Sequence, residues 1–463
     1  MPRPHPVLER RRAGVLLPIA ALPAAWGPPL GPAAARFADW LAAAGQGWWQ
    51  LLPVGPPGPG GSPYSSPSAF AGDPGLLRDP RRPGRPAPGA LSESDLLSFR
   101  RRNRDWLPDW CLYAALKEEN DGAPWWEWPE PLRRRRPEAL RAARRRLRPA
   151  LERHELEQAL FAVRWAELRR ACRRRGVRLL GDLPLFVERD SADVWARPDL
   201  FRLDADGRPT VVTGVPPDLF SRSGQRWGHP HYRWPAHRAE GFRWWRRRLD
   251  LALERADAVR LDHFVGFVRA WEVPARARTA RRGRWGRTPG RELLTALAAA
   301  RRGGPLPLVA EDLGVVTPAV ERLRDAHGLP GMKVLQWAFA PGAEGLLPHA
   351  HPYRSVVYTG THDNDTARGW FAALGRPERE RVLAYTGGSP ATIHLDLLRA
   401  AYGSPAALAV APMQDLLGLG SEARTNTPGT ADGNWRWRLG ARQTTAGLAR
   451  RLRGLAAAFD RLG

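Results

Sequence analysis

An α/β chain built on a (β/α)8 barrel is what the sequence predicts, and three observations carry that prediction. Eight short apolar runs recur along the 463 residues, and stretches with helical patterning separate them. Several of the runs end on a polar or acidic residue. Most are continuously apolar rather than alternating, as parallel strands covered on both faces require. Strands alternating with helices, in a chain long enough to bury a large core, point to a barrel.

Taken in order, the first run is Val15–Ile19, just after Arg10, Arg11 and Arg12. Basic residues ahead of an apolar stretch imitate a secretory leader. Pro18 and Pro23 interrupt that stretch and Glu9 precedes it, so a buried strand accounts for the letters better. Trp48–Val54 is the second strand and Val177–Leu183 the third. The long connection between them opens on Pro56-Pro-Gly-Pro-Gly-Gly-Ser-Pro63 and contains Arg133–Arg153. Glu138 and Glu152 interleave those arginines, and Ala and Leu recur, which reads as the solvated face of helices. A second insertion, rich in Trp, Pro and Gly, leads to the fourth run, Ala258–Asp262. The remaining strands are Leu306–Glu311, Lys333–Phe339, Val356–Thr361 and Leu408–Pro412. The expected organisation is one catalytic domain over 1–463, with inserted subdomains at about 70–170 and 186–256. Insertions after barrel strands build the rim of the site.

Composition excludes several classes. Hydrophobic residues at 43% and charged residues at 26% are ordinary globular usage, not that of a disordered chain. No 18-residue apolar stretch predicts a membrane span. Cys111 and Cys172 are too few for a disulfide framework or a four-cysteine zinc site, and a reducing cytoplasm suits them. The net charge of +25 raises nucleic acid as a partner. Yet Lys117 and Lys333 are the only lysines, so arginine supplies the other 70 of 72 basic residues. That bias, shared with Ala, Gly and Pro, reads as composition, and no nucleic-acid partner is expected. The 21 tryptophans are more informative, because their rings stack on flat faces such as those of sugars.

Three acids stand where strands run out. Asp262 closes Val259-Arg-Leu-Asp262, Glu311 closes Pro307-Leu-Val-Ala-Glu311, and Asp363 follows Val356-Val-Tyr-Thr-Gly-Thr-His362. Barrel strand ends converge on one face, so acids distant in sequence can meet. Arg260 and Asp262, two apart on a strand, point to the same side. Converging carboxyl groups are what glycosidic-bond chemistry needs: one ionised to attack the anomeric carbon, one protonated to assist the leaving oxygen. Like-charge repulsion from a third acid raises its neighbour's pKa. Arg260 would hold Asp262 ionised, and His362 would bind a sugar hydroxyl. Each acid has a plain alternative as a helix cap or turn, and Glu311-Asp312 as a metal pair. No HExxH, cysteine cluster or calcium-loop pattern accompanies that pair, and no phosphate-binding Gly-rich loop is present. The prolines in Gly58-Pro-Gly-Gly-Ser62 remove the amide donors a phosphate cradle needs.

From about Gly14 to Leu439 the chain resembles glycoside hydrolase family 77, the amylomaltases or 4-α-glucanotransferases. The resemblance rests on ordered motifs: Gly47-Trp-Trp-Gln-Leu-Leu-Pro-Val-Gly55, Ser62-Pro-Tyr-Ser-Ser-Pro67, Gly181-Asp-Leu-Pro-Leu-Phe186, Gly214-Val-Pro-Pro-Asp218, Gly224-Gln-Arg-Trp-Gly228, the three acid motifs, Pro330-Gly-Met-Lys333, Pro412-Met-Gln-Asp415 and Asn434-Trp-Arg-Trp-Arg438. It implies Asp262 as nucleophile, Glu311 as general acid/base and Asp363 as transition-state stabiliser. Sugar-binding roles are implied for Ser62, Tyr64, Asp182, Asp218, Arg260, His362 and Asn426. Gln225 and Trp227 match a mobile loop over the cleft. The implied reaction passes a segment of an α-1,4-glucan, such as a maltooligosaccharide or a chain from starch or glycogen, to the 4-hydroxyl of another glucan or of glucose. It needs no metal or organic cofactor. An α-glucan hydrolase of the same fold is the alternative. This chain departs from the family pattern at Gly61, where Asp is usual, at Val265 for Arg, at Thr425 for Met and at His229 for Asn.

Overall fold

A computed structural model describes residues 3–82, 91–217, 221–340, 342–430 and 432–463. In it the eight runs become strands β1 (Arg12–Leu16), β2 (Trp48–Gln50), β3 (Arg178–Leu183), β4 (Ala258–Leu261), β5 (Leu308–Ala310), β6 (Gly331–Val334), β7 (Ser355–Tyr358) and β8 (Leu408–Pro412). They close in sequence order into a barrel, every neighbouring pair parallel, with β1 sealing against β8 at Gly14↔Val410.

Several strand positions differ from the sequence expectation; β2 stops at Gln50 rather than Val54, and β7 at Tyr358 rather than Thr361. β1 begins at Arg12 and stops before Pro18, whose ring nitrogen carries no donor for a ladder. The run Lys333–Phe339 is strand only at its start: β6 ends at Val334, and Leu335–Ala338 turns into a short helix. A continuous apolar run does not separate a buried strand from a buried helix.

Side chains alternate along each strand. Trp48, Leu180, Ala258, Val356 and Leu408 pack together as an apolar plug inside the barrel. Their neighbours Trp49, Leu179, Val259, Val357 and Ala409 join the cluster shared with the outer helices. Those helices include Ala34–Ala43, Arg148–Arg174, Arg243–Arg255, Gly290–Ala300 and Ile393–Gly403. Two residues on from the plug, the inward positions become polar on β2, β3 and β4, as Gln50, Asp182 and Arg260, while Tyr358 and Val410 continue the apolar cluster on β7 and β8. The barrel therefore carries an apolar floor and a polar mouth.

The connection from β2 to β3 includes helices Glu93–Arg102, Leu107–Glu119, Pro137–Arg146 and the long Arg148–Arg174. Its arginines are matched by acids, as in Arg146–Glu119 at 2.7 Å and Arg148–Glu152 at 2.8 Å. Four further strands combine in a separate antiparallel sheet, in the order Gln225–Pro230, Val211–Val215, Arg269–Pro274, Arg284–Arg287. That sheet thus draws strands from both sides of β4. No helix of the described residues is long and apolar enough to cross a membrane.

Segment 51–72, which carries Ser62 and Tyr64, returns to the body of the fold at Gly72. Gln158 donates to the Gly72 carbonyl and accepts from its N–H, both at 2.8 Å, and the Phe161 ring lies directly where a Cβ would stand. Gly72→Ala should therefore force that ring aside and destabilise the fold by about 1–3 kcal/mol. A denaturant titration reads this, and an unchanged midpoint would show that the segment is not clasped there.

Candidate active site

The mouth of the barrel is organised by a buried cation. Asp182 on β3 and Arg260 on β4 are direct partners across the parallel ladder. Arg260 Nη1 donates to both Asp182 oxygens at 2.8 Å, and its Nη2 stands 3.0 Å from Asp262 Oδ1. Burial works against the Arg260 charge, but the Asp182 and Asp262 carboxylates outweigh it and hold the guanidinium well above its ordinary pKa. Burial pushes Asp182 up while Arg260 opposes it. Exposure divides the two acids' tasks. The Asp182 side chain is 0% exposed and Arg260 5%, whereas Asp262 is 26% exposed.

Glu311 follows β5 and lies one strand over. Its backbone N–H donates to the Leu261 carbonyl at 3.0 Å, continuing the β4–β5 ladder to the acid itself. The next link is His263. Its φ of 49° lies in the left-handed region, which non-glycine residues occupy at a cost, most often at functional sites. That turn aims the His263 N–H at Glu311 Oε2, 2.6 Å away, and the Phe264 N–H at the Glu311 carbonyl, 3.0 Å away. Glu311 is thus held against the residue that follows Asp262. Burial raises its pKa well above the carboxyl range, and the charges of Asp262 and Asp312 add to that; Arg260 and the His263 N–H oppose. The result is a carboxyl group whose protonated form is favoured beyond that of an ordinary glutamate. Asp312 has a different fate: it ion-pairs with Arg324 and accepts from the Met332 N–H at 2.7 Å. Its oxygens are engaged by protein, which does not suit a metal pair with Glu311. Among the described residues no three His, Cys, Asp or Glu side chains cluster as metal ligands would.

Asp363 lies beyond β7. Asn426 Nδ2 donates to its Oδ1 at 2.6 Å, and His362 Nε2 stands 3.3 Å from its Oδ2. Tyr64 donates its hydroxyl to Asp182 at 2.7 Å and stacks on the His362 ring at 5.2 Å. Ser62 accepts from the Tyr64 N–H at 3.3 Å, capping the single helical turn that presents that ring. Six of the expected residues, Tyr64, Asp182, Arg260, Asp262, His362 and Asp363, are therefore joined by direct contacts. Asn426 is tied to them through Asp363, and Glu311 through the His263 turn.

Gln225 and Trp227 lie on the strand Gln225–Pro230, with Trp227 Nε1 donating to Gln225 Oε1 at 3.3 Å. Trp227 meets the edge of His263 at 4.8 Å, which brings the covering strand onto the Asp262 loop. Asp218 lies outside the described residues. Two side chains the sequence reading gave no role belong here. His263 is driven down to about 4 by burial and is a neutral wall of the site. Trp435, with φ of 63°, leans on both Tyr64 (5.9 Å) and His362 (6.0 Å). The only signal was Trp435's place inside a quoted motif and His263's place next to Asp262, since ring clustering leaves no local pattern.

The departures from the family pattern have local explanations. Gly61 has a φ of +79° and nothing within 4 Å of where a Cβ would be. Val265 is buried in the core. His229 Nδ1 stands 3.4 Å from Glu188. Thr425 Oγ1 accepts from the buried Gln414 amide at 2.8 Å.

The arrangement offers a buried carboxyl whose proton is favoured (Glu311), a partly exposed acid beside a fixed cation (Asp262), a third, more exposed acid (Asp363) and aromatic faces at the rim. Comparison with known proteins converges on the same chemistry. The glycoside hydrolase 77 family, described as 4-alpha-glucanotransferase, matches residues 17–81 and 87–444. The 4-alpha-glucanotransferase of Thermus thermophilus is 45% identical over 98% of this chain and 99% of its own length. That of Synechocystis sp. is 41% identical over 93% of this chain and 94% of its own. In three dimensions the amylomaltase from Streptococcus agalactiae, in complex with acarbose, superposes with a TM-score of 0.92 at 31% identity, covering 98% of this chain and 100% of that one.

Removing the buried cation should be felt in the whole fold. Arg260→Met leaves Asp182 and Asp262 without their countercharge, a loss of about 3–5 kcal/mol. Arg260→Lys keeps a charge but not the two-sided fork, so its loss should be smaller. Chemical denaturation checks both, and equal stability of all three proteins would contradict the central role of the ion pair.

Proposed function

The chain belongs to the glycoside hydrolase 77 family and carries 4-α-glucanotransferase activity, and from that premise we propose that Asp262, Glu311 and Asp363 perform the transfer. The supporting observation is the 2.6 Å bond from the His263 N–H to Glu311, which holds the acid beside the Asp262 loop. In the first step Glu311 gives its proton to the glycosidic oxygen as the C1–O bond breaks, and an Asp262 oxygen bonds to C1. The shortened glucan leaves with a new hydroxyl, and a β-linked glucosyl ester remains. In the second step an acceptor's 4-hydroxyl loses its proton to Glu311 as its oxygen bonds to C1 and the Asp262 ester bond breaks. Glu311 ends protonated and the α configuration is retained. Asp363 accepts from sugar hydroxyls as positive charge grows on the ring.

The donors are α-1,4-glucans: maltooligosaccharides and chains from starch or glycogen. Glucose serves as the smallest acceptor. Tyr64, Arg260, His362 and Asn426 orient the sugar, with Ser62, Asp182 and Asp218 in the same set, and Gln225 and Trp227 cover it. An acceptor bound next to Glu311 presents its hydroxyl at high effective concentration, an advantage of roughly 7–11 kcal/mol in well-oriented cases. Keeping bulk water from the ester is the cover's part. A single catalytic domain with inserted subdomains near 70–170 and 186–256, working in the cytoplasm, completes this reading.

Two measurements test it. With maltotriose, products should form a ladder of longer glucans plus glucose while total reducing ends stay nearly constant. Reducing ends rising with every bond cut, and no product longer than the substrate, would make the enzyme a hydrolase. The second uses α-glucosyl fluoride, whose leaving group needs little acid help. Glu311→Gln should fail on maltotriose yet accumulate a glucosyl adduct from the fluoride, whereas Asp262→Asn should form none with either donor. An adduct on a peptide lacking Asp262 would falsify the nucleophile. The raised Glu311 pKa also fixes a sign. The protonated form persists above the usual carboxyl range, and the maltotriose rate falls as pH rises through that pKa. The first step with the fluoride should lack that fall.

A further inference from the structure

Residues 424–426 grip the Asp363 turn from the neighbouring strand end. The Asn426 N–H donates to the His362 carbonyl at 3.1 Å, and the Asn426 amide to Asp363 Oδ1 at 2.6 Å. Arg424 spans the same two residues on the main chain. Its Nη2 donates to the Asp363 carbonyl at 2.7 Å and its Nε to the Asn426 carbonyl at 2.7 Å. Nε and Nη2 share one edge of the planar guanidinium, so the two donors are parallel and fixed relative to each other. A lysine ammonium has no such edge.

The need for a brace is visible in the surroundings of Asp363. Its side chain is 45% exposed, so packing does not hold it. Behind it is a short turn, in which the Asp363 N–H reaches Thr361 Oγ1 at 3.3 Å, and Thr361 in turn bonds Asn364 Oδ1. Only one side of the carboxylate's main chain is fixed by that turn. The Arg424 side is anchored to the barrel. Gln414, buried just after β8, donates to Thr425 Oγ1 at 2.8 Å and to the Ala423 carbonyl at 3.1 Å.

We propose that Arg424 is a positioning residue for the transfer reaction: by clamping the Asp363 and Asn426 carbonyls together it keeps one Asp363 oxygen on the Asn426 amide and the other directed to the sugar. The inference rests on Asp363 stabilising the transition state. A charged donor on a carbonyl makes a stronger bond than a neutral one, and small displacements of a group that acts in the transition state are costly in rate.

Arg424→Gln and Arg424→Lys, each made in the native chain and in Asp363→Asn, test it with maltotriose and α-glucosyl fluoride as donors. In the native background Arg424→Gln should lower kcat by about 10–100-fold with KM changed less than about threefold. Both donors should suffer alike, because Asp363 serves the transition state whatever group leaves. Arg424→Lys should recover only part of the rate. In Asp363→Asn, replacing Arg424 should bring no further loss. The same fold-loss in both backgrounds, or a lower melting midpoint with kcat intact, overturns the proposal and makes the arginine merely structural. Full activity of Asp363→Asn alone sinks the underlying role of Asp363, and the proposal with it, and that result is separate from any made on Arg424.

Discussion

A guanidinium buried between two carboxylates is the constraint around which the mouth of this barrel is arranged. Arg260 has almost no access to water, so its charge is tolerable only where Asp182 and Asp262 meet it. The β3–β4 register places Asp182 opposite it, and the two-residue strand period places Asp262 on the same side. The three charges leave a net negative site. Glu311, one strand away, has its pKa pushed up first by burial and further by the neighbouring Asp262. One ion-pair network thus gives two neighbouring acids different surroundings. Tyr64 extends the same network to the rim through its bond to Asp182.

How much of this was legible follows from where the information lies. Asp262 and Glu311 each end an apolar run and Asp363 follows one closely, and strand ends converge in any barrel, so their placement at one mouth could be read from spacing. The pairing of Arg260 with Asp262 followed from their separation by two. His263, Trp435 and Arg424 were different. Their roles depend on left-handed backbone at two of them and on main-chain acceptors brought in from another strand end at the third. Neither feature has a local sequence pattern. The sixth strand was misplaced by a few residues because Leu335–Ala338 is as apolar as a strand and as good a helix.

The tryptophans show a similar division. Their abundance pointed to sugar stacking, yet Trp48, Trp49, Trp195 and Trp245 are fully buried and build the core. Trp227 and Trp435 are the ones whose rings meet site residues. Arginine likewise works largely within the fold: it pairs with acids along the insertion helices, and Arg461 is buried on the carbonyls of Tyr402, Ser404 and Ala406.

The small antiparallel sheet has a consequence for how such an enzyme can be altered. Its covering strand, Gln225–Pro230, hydrogen-bonds to Val211–Val215, which pairs with Arg269–Pro274. That last strand starts soon after Asp262 and His263 in the chain. The cover is therefore not a cassette. A loop taken from a relative and grafted over 211–230 alone would arrive without the strands it was matched to, and would pull on the segment that follows Asp262. Exchange of acceptor preference by recombination should thus succeed only when crossovers fall outside the whole span from the end of β3 to the start of the helix Gly290–Ala300, so that this sheet and the Asp262 loop are inherited together.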